Sequence, residues 1–133
     1  MDNIFNYCKI ISAFAGGVLG WVFGAVDSLI YALIAFVALD YITGVLLAIH
    51  DKKLSSEIGF RGICKKAMIF ALVAVGHILD QYVIGTGSSL RTMLIMFYLS
   101  NEGISIIENA GKIGLPLPQK LKDAIQQLNG RGK

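Results

Sequence analysis

The chain has 133 residues, of which 55% are hydrophobic and only 16% are charged, and its formal net charge is +3. Its mean hydropathy is +0.65. A soluble domain usually carries about 25% charged residues, so this composition excludes a separate soluble domain. The sequence predicts one all-α integral membrane unit over 1–133: a small bundle of four transmembrane helices, or alternatively three, with a short cytoplasmic amphipathic helix near the C-terminus.

The first apolar block is Ile10–Val26, which contains no charged residue. It is short for a bilayer span, which takes about 17–25 residues, and we predict a retained first span over approximately 10–26. Gly16, Gly20 and Gly24 form a small-residue face that lets two helix backbones approach closely. Packing within one subunit and packing between subunits both remain open for this face.

Three further apolar blocks predict spans at approximately 28–50, 66–84 and 90–109. The fourth block fits a span only if the membrane can accommodate its polar residues, which include Asn101 and Glu102. Asp27 or Ser28, in the external turn before the second helix, is predicted to cap that helix. Residues 51–66 are predicted to form a cytoplasmic loop, because Gly59 and Gly62 argue against a long regular helix there.

The C-terminal part of the chain is more polar. Pro116 and Pro118 are expected to end regular structure after the fourth span. A short helix fits Gln119–Leu128, whose apolar residues share one face. We predict that this helix lies in a cytoplasmic tail, 112–133.

Basic residues are concentrated before the first block, in the predicted loop and in the tail: Lys9; Lys52, Lys53, Arg61, Lys65 and Lys66; Lys112, Lys120, Lys122, Arg131 and Lys133. With four spans and both termini in the cytoplasm, every basic residue except Arg91 faces the cytoplasm, as the positive-inside rule expects. With three spans, the first block lies on the surface or outside, and the loop and tail stay cytoplasmic. The basic residues therefore indicate topology and contact with anionic lipid, and not nucleic acid.

Ionisable residues interrupt the predicted spans at Asp40, His77, Asp80 and Glu102. A rise of about 1.5 Å per residue places Asp40, His77 and Glu102 near mid-depth, with Asp80 one turn from His77. A charge at mid-bilayer costs about 2.5–3.5 kcal/mol or more, so these side chains must face the bundle, water or each other. Two interpretations stay open. One is pairing within the subunit, such as Asp40 or Glu102 with His77, or an acid held neutral; the other is a wet path that forms on oligomerisation.

Glu108 and Asn109 fall at the predicted cytoplasmic end of the fourth helix. Asn109 fits the C-cap of that helix. A carboxylate is unfavourable near a helix C-terminus, so we predict that Glu108 has a basic partner, one of Lys65, Lys66 or Lys112.

No residue pattern favours an enzyme. The chain has two histidines, no phosphate-binding loop and no nucleophile beside a base. Cys8 and Cys64 both fall on the predicted cytoplasmic side, where disulfides are rare. There is no Cys-x-x-Cys pair or His/Cys cluster, so we expect neither a metal nor a cofactor.

A set of short motifs recurs in order along most of the chain: Asp40 with Thr43-Gly44; Ser55-Ser56, Gly59, Gly62 and Lys65-Lys66; Asp80; Glu102; Ser105 to Asn109; and Gly114 to Pro118. This ordered set resembles the bacteriophage holin family that includes the toxin-secretion and phage-lysis holins of clostridia. No single motif is specific, but their order is.

The resemblance implies a small protein of the bacterial cytoplasmic membrane that forms homo-oligomers and permeabilises the membrane. An endolysin would then reach the cell wall, or a large toxin would leave the cell. Candidate residues fall into three groups: pore or gating residues, Asp40, His77, Asp80 and Glu102; helix-packing residues, Gly16, Gly20, Gly24 and Gly44; and an interfacial motif, Asn101, Ser105, Glu108, Asn109, Pro116 and Pro118.

Two other classes of protein stay open. A small ion or proton channel, or a transporter subunit, would use the intramembrane acids as a relay. A membrane assembly or anchoring protein would act through the basic tail.

Overall fold

The computed structural model describes residues 1–85 and 87–128, apart from the side chains of Gln126 and Leu128. Its helices are α1 (Asp2–Phe23), α2 (Ser28–His50), α3 (Ser56–Ile78) with a π-helical continuation (Leu79–Ile84), α4 (Ser89–Ile113) and α5 (Gln119–Leu128). The predicted all-α class is confirmed for the described residues. The end of the predicted tail, 129–133, lies outside them.

Among the described helices, three are long and apolar enough to cross a membrane: Asp2–Phe23, Ser28–His50 and Ser56–Ile84. α4 is also long, with 25 residues, but polar residues occupy much of its second half. Four spans are therefore not confirmed. The helix that falls short of a span by composition is α4, and not the first block as the three-span alternative expected.

The starts of α2 and α3 are fixed by side-chain caps. Asp27 Oδ1 accepts a hydrogen bond from the Ile30 amide at 3.0 Å, as predicted for the second helix. Ser55 Oγ accepts one from the Ile58 amide at 3.2 Å. Each bond satisfies an amide that has no partner within its helix.

The predicted irregular loop over 51–66 is wrong, because α3 already begins at Ser56. Gly59 and Gly62 do not break the helix; they let it pack closely on α2. A Cβ at Gly59 would lie 3.3 Å from Tyr41 Oη, and one at Gly62 would lie 3.6 Å from Tyr41 Cε2. Their cost in helix propensity is thus offset by close contact between the two helices.

The core lies between α2, α3 and α4. Leu33, Val73 and Ile95, one from each helix, are fully buried at its centre. α1 stands apart, since none of its residues is buried. It meets the bundle near its C-terminal end, where Trp21 Nε1 donates to Tyr82 Oη at 2.8 Å.

α5 returns along the bundle and packs on α4. Gly114, with φ of 111°, ends α4 in a left-handed conformation that glycine adopts without strain. Ile125 is buried against Gly103, where an added Cβ would lie 2.9 Å from Ile125 Cδ1 and 3.2 Å from Phe36 Cε2. Gly103 directly follows Glu102, so α5 covers the bundle beside that carboxylate.

Candidate functional site

A buried charge cluster joins α2, α3 and α4. Lys66 Nζ donates to Asp40 Oδ2 at 2.6 Å and to Glu102 Oε2 at 2.8 Å. The three side chains are only 17%, 10% and 9% exposed, respectively. One ammonium faces two carboxylates, which leaves one carboxylate charge to be balanced by a proton, by water or by a cation.

Asn109 extends this cluster towards the end of α4. Its Nδ2 donates to Thr43 Oγ1 at 3.0 Å and to Asp40 Oδ1 at 3.3 Å. The prediction that Asn109 is a C-cap is wrong, since α4 continues to Ile113 and is capped by Gly114. Asn109 instead fixes Asp40 from the side opposite Lys66.

The cluster lies midway along the bundle. Arg91 and Asp27 form an ion pair at one end of it. From that pair, Glu102 is about 17 Å along α4 and Asp40 about 20 Å along α2, at about 1.5 Å per residue. Both acids therefore lie near the middle of the bundle; that this level is also the middle of a bilayer stays a prediction. Lys66, which was predicted at the loop boundary, lies at the same level because α3 begins earlier.

A cavity of about 240 Å³ adjoins the cluster. It is bordered by Asp40 and Lys66, by Ser105 and Asn109 of α4, and by small residues including Gly44. Gly44 packs near Asn109, with an added Cβ 3.8 Å from Nδ2. Polar groups and open space therefore occur together beside buried charges, as a hydrated site requires.

A second polar cluster closes one end of the bundle around Arg91, which is 4% exposed. Its guanidinium donates to Asp27 Oδ2 at 3.0 Å, to the Phe23 carbonyl at 2.6 Å and to the Ala25 carbonyl at 2.8 Å. These bonds tie the α1–α2 turn to the start of α4. The hydrogen bonds from Arg91 hold the pKa of Asp27 below its ordinary value of 3.8.

Asp80 and His77 belong to this second cluster and not to the first. Asp80 accepts hydrogen bonds from the Leu90 and Arg91 amides at 3.0 and 2.9 Å, so it caps the first turn of α4. His77 packs at Gly24, where an added Cβ would lie 2.9 Å from His77 Nδ1. The suggested pairing of Asp40 or Glu102 with His77 is therefore wrong, and Lys66 takes that place.

The small-residue face of α1 divides into two parts. An added Cβ at Gly16 or Gly20 would meet nothing within 4 Å among the described residues. Gly24, with φ of 81°, is buried against His77 and Arg91. Packing within the subunit thus accounts for Gly24 alone of the three.

The remaining predicted residues are less constrained. Asn101 is half-buried, while Pro116 and Pro118 are exposed in the connection between α4 and α5. Glu108 is exposed, and within the described part of the chain it makes no ion pair. The predicted basic partner of Glu108 is therefore wrong.

Sequence reasoning missed Lys66 and Arg91 as site residues. Lys66 is predicted only as a topology signal, a member of the motif set and a possible partner of Glu108, and Arg91 only as the exception to the topology pattern. Two features of the sequence could have indicated these cations. The predicted spans contain more acidic than basic residues, so the acids need cationic partners. Lys66 begins one apolar block and Arg91 lies just inside another. Their pairing across 26 and 64 positions follows from the helix packing.

Comparison with known proteins gives a consistent result. A profile of the bacteriophage holin family matches residues 17–130. The chain is 43% identical to an uncharacterised 14.9 kDa protein in the nagH 3′ region of Clostridium perfringens, covering 98% of this chain and 99% of that protein. It is 44% identical to an uncharacterised protein of Listeria innocua, over 83% of this chain and 78% of that one. It is 31% identical to the uncharacterised protein YtkC of Bacillus subtilis, over 100% of this chain and 98% of that one. No solved structure matches.

Proposed function

Because the chain belongs to the bacteriophage holin family, we propose that it oligomerises in the bacterial cytoplasmic membrane and permeabilises it, releasing an endolysin or a large toxin. Family membership and the three membrane-length helices support a holin-type membrane protein. Membrane lipid and further copies of the chain are its direct partners in this proposal. The link to the endolysin or toxin is functional, and nucleic acid has no part.

The observation that carries the proposal is the buried charge cluster at the middle of the bundle. Lys66, Asp40 and Glu102 are buried where α2, α3 and α4 meet, which shields them from lipid in a closed subunit. If these helices separate in lipid, the exposed charges cost several kcal/mol. The helices therefore separate favourably only where water or polar groups of other subunits solvate these charges, as in an oligomeric lesion.

Oligomerisation is supported by α1. Its side chains are almost all exposed, and Gly16 and Gly20 leave an open small-residue face. Small residues at helix surfaces permit close helix–helix contact in membranes. We propose that copies of α1 pack against each other along this face.

A small ion or proton channel, or a transporter subunit, is the alternative. The cavity of about 240 Å³ beside Asp40 and Lys66 favours it, since polar space next to an ionisable group is what a relay needs. Asp80 binds the Leu90 and Arg91 amides, and Arg91 lies about 17 Å along α4 from Glu102. A relay needs ionisable groups at shorter spacing, so this separation favours the holin.

One experiment separates the two functions. The protein is induced in a bacterial host, and release of a cytosolic enzyme is followed together with potassium efflux. A holin releases the enzyme, whereas a channel gives potassium efflux while the enzyme stays inside. Potassium loss without enzyme release, at protein levels that insert fully, would contradict the holin proposal.

The topology that we propose has both termini in the cytoplasm and four crossings, with α4 as the last. It is tested by single-cysteine labelling at Asn3 and Ser88, in a background without Cys8 and Cys64. An impermeant reagent in intact cells should label position 88 and leave position 3 unlabelled. Labelling at position 3 would leave only three crossings.

A further inference from the structure

The outer surface of the bundle is divided between apolar and polar helices. α1, α2 and α3 expose large apolar side chains along their length, such as Phe14, Leu39 and Val75. α4, which is described in full, exposes large apolar side chains only at Met93 and Phe97, both in its first half. In its second half the exposed residues are Glu108, Gly111 and Lys112, and the isoleucines are half-buried.

α5 adds to this polar side. Its exposed polar residues are Gln119, Lys120, Asp123 and Gln127, its exposed apolar residues are Leu121 and Ala124, and Lys122 is half-buried. Gln119 Nε2 donates to Asp123 Oδ1 at 2.9 Å on the exposed surface. The buried residue that anchors the helix is Ile125, at 8% exposure.

The depth of this contact decides what α5 can face. Ile125 packs on Gly103 and near Phe36. In the proposed topology Arg91 marks the outer edge of the hydrocarbon core, so Gly103, about 18 Å along α4 from Arg91, lies near the middle of a core about 30 Å thick. Charged side chains at that depth cost about 2.5–3.5 kcal/mol each when lipid surrounds them. A docked α5 is therefore incompatible with lipid on its outer side.

We propose that the α4–α5 face, residues 103–112 and 119–127, borders water in the inserted assembly, as the wall of an aqueous path. The outer faces of α1, α2 and α3 border lipid. The inference rests on the proposed function and names the surface that lines the lesion. The occupant of this face is water, because its exposed side chains are mostly polar, with Leu121 the one large apolar exception among the described residues, and its exposed charges carry both signs.

The charges on this wall also bear on selectivity. Lys112, Lys120 and Lys122 are interspersed with Glu108 and Asp123. Fixed charges of mixed sign give no strong preference for cations or anions, in contrast to a ring of one sign. Within this wall, Ile125 of α5 packs on Gly103 beside Glu102, so α5 lies between the aqueous path and the buried cluster.

Spin labels on single cysteines, in a background without Cys8 and Cys64, test the proposal in vesicles of bacterial lipid. Lys122→Cys and Glu108→Cys report on the α4–α5 face. Leu39→Cys and Leu46→Cys, both exposed on α2, are the matched controls. A water-soluble relaxation agent should reach the first two labels, and oxygen dissolved in lipid should reach the controls. Cross-linking of the double variant Phe36→Cys/Ile125→Cys reports whether α5 remains docked.

Three outcomes are distinct. Water access at positions 122 and 108 together with cross-linking of 36 to 125 supports the proposal. Lipid access at either position overturns it. Water access without cross-linking also overturns it, because α5 would then lie free of the bundle. None of these readings needs lysis, so failure of the proposed function appears separately in the enzyme-release assay. If a substitution in α5 prevents insertion, Glu108→Cys on α4 gives the accessibility result by itself.

Discussion

Lys66 Nζ lies 2.6 Å from Asp40 Oδ2, although the two residues are 26 positions apart. The contact joins α3 to α2 at mid-bundle, and the second bond of Lys66, to Glu102, joins α3 to α4. One side chain thus links three helices. Because the acids have no other cation within the described residues, the closed bundle depends on it.

Replacing Lys66 by methionine should destabilise the subunit strongly. The substitution keeps the aliphatic stem and leaves two buried carboxylates without a cation, a change that costs about 3–5 kcal/mol when one partner of a buried pair is removed. We expect a large drop in thermal unfolding temperature in detergent. Lys65→Met, at an exposed neighbouring position, is the control and should change little. Equal unfolding temperatures for the two variants would show that the cluster does not hold the helices together.

The helices were largely predictable because apolar blocks report membrane helices directly. α2 begins and ends where its block does, at Ser28 and His50. The start of α3 differs from the prediction, because glycine propensity favours a loop at Gly59 and Gly62, whereas both glycines pack against Tyr41. Propensity is a local quantity, and only the neighbouring helix determines whether a glycine breaks a helix or permits contact.

The site was predictable in part. Asp40 and Glu102 stood out because acids in apolar blocks are costly, and both lie in the cluster. Their partner could not be read from the sequence, because pairing across helices depends on rotation and register. The same limit explains why His77 was placed with the acids, although it packs at Gly24.

Substitution of Gly20 should act on assembly and not on the fold. A leucine at position 20 meets open space in the subunit, so we expect normal insertion, with weaker cross-linking between copies and delayed lysis. Gly24→Ala is the contrasting variant. Gly24 has φ of 81° and close neighbours in His77 and Arg91, so alanine at this position should lower the stability of the subunit by about 1–2 kcal/mol or more. Unchanged cross-linking and lysis timing in Gly20→Leu would remove α1 from the assembly interface.

Asp27→Asn should reduce stability in a pH-dependent way. Asparagine can still cap α2, so the change isolates the charge that pairs with Arg91. The folded-state pKa of Asp27 is lowered, so its contribution is fully present above the unfolded pKa of about 3.9 and is lost as pH falls through the folded pKa. The side chain is 39% exposed, so the loss at pH 7 should be on the order of 1 kcal/mol or less.

Thermal unfolding of wild type and Asp27→Asn at several pH values measures this effect. The two curves should differ by a constant amount above about pH 5, approach each other as pH falls below about 4, and meet only below the folded pKa of Asp27. Asp2→Asn, at an exposed acid of α1, is the control and should follow wild type throughout. A difference that persists undiminished in acid would mean that the Arg91 ion pair is not its source.

Glu102→Gln should delay lysis. Glutamine keeps the shape of the side chain and an oxygen that can accept from Lys66, but it removes one negative charge, so Lys66 and Asp40 then balance each other. A charge-balanced cluster is more stable in a closed, lipid-surrounded bundle, since each uncompensated charge at mid-depth costs about 2.5–3.5 kcal/mol. The closed subunit should therefore persist longer at the same protein level.

Glu108→Gln is the matched control, because Glu108 lies about 9 Å further along the same helix and is exposed. Its charge is already available to water in the proposed assembly, so its removal should leave lysis timing near wild type. Timing is measured by enzyme release in induced cells, with protein amount matched by immunoblot. If Glu102→Gln lyses cells at the wild-type time, Glu102 already carries a proton in the closed bundle, and the surplus charge of the cluster has no part in opening it.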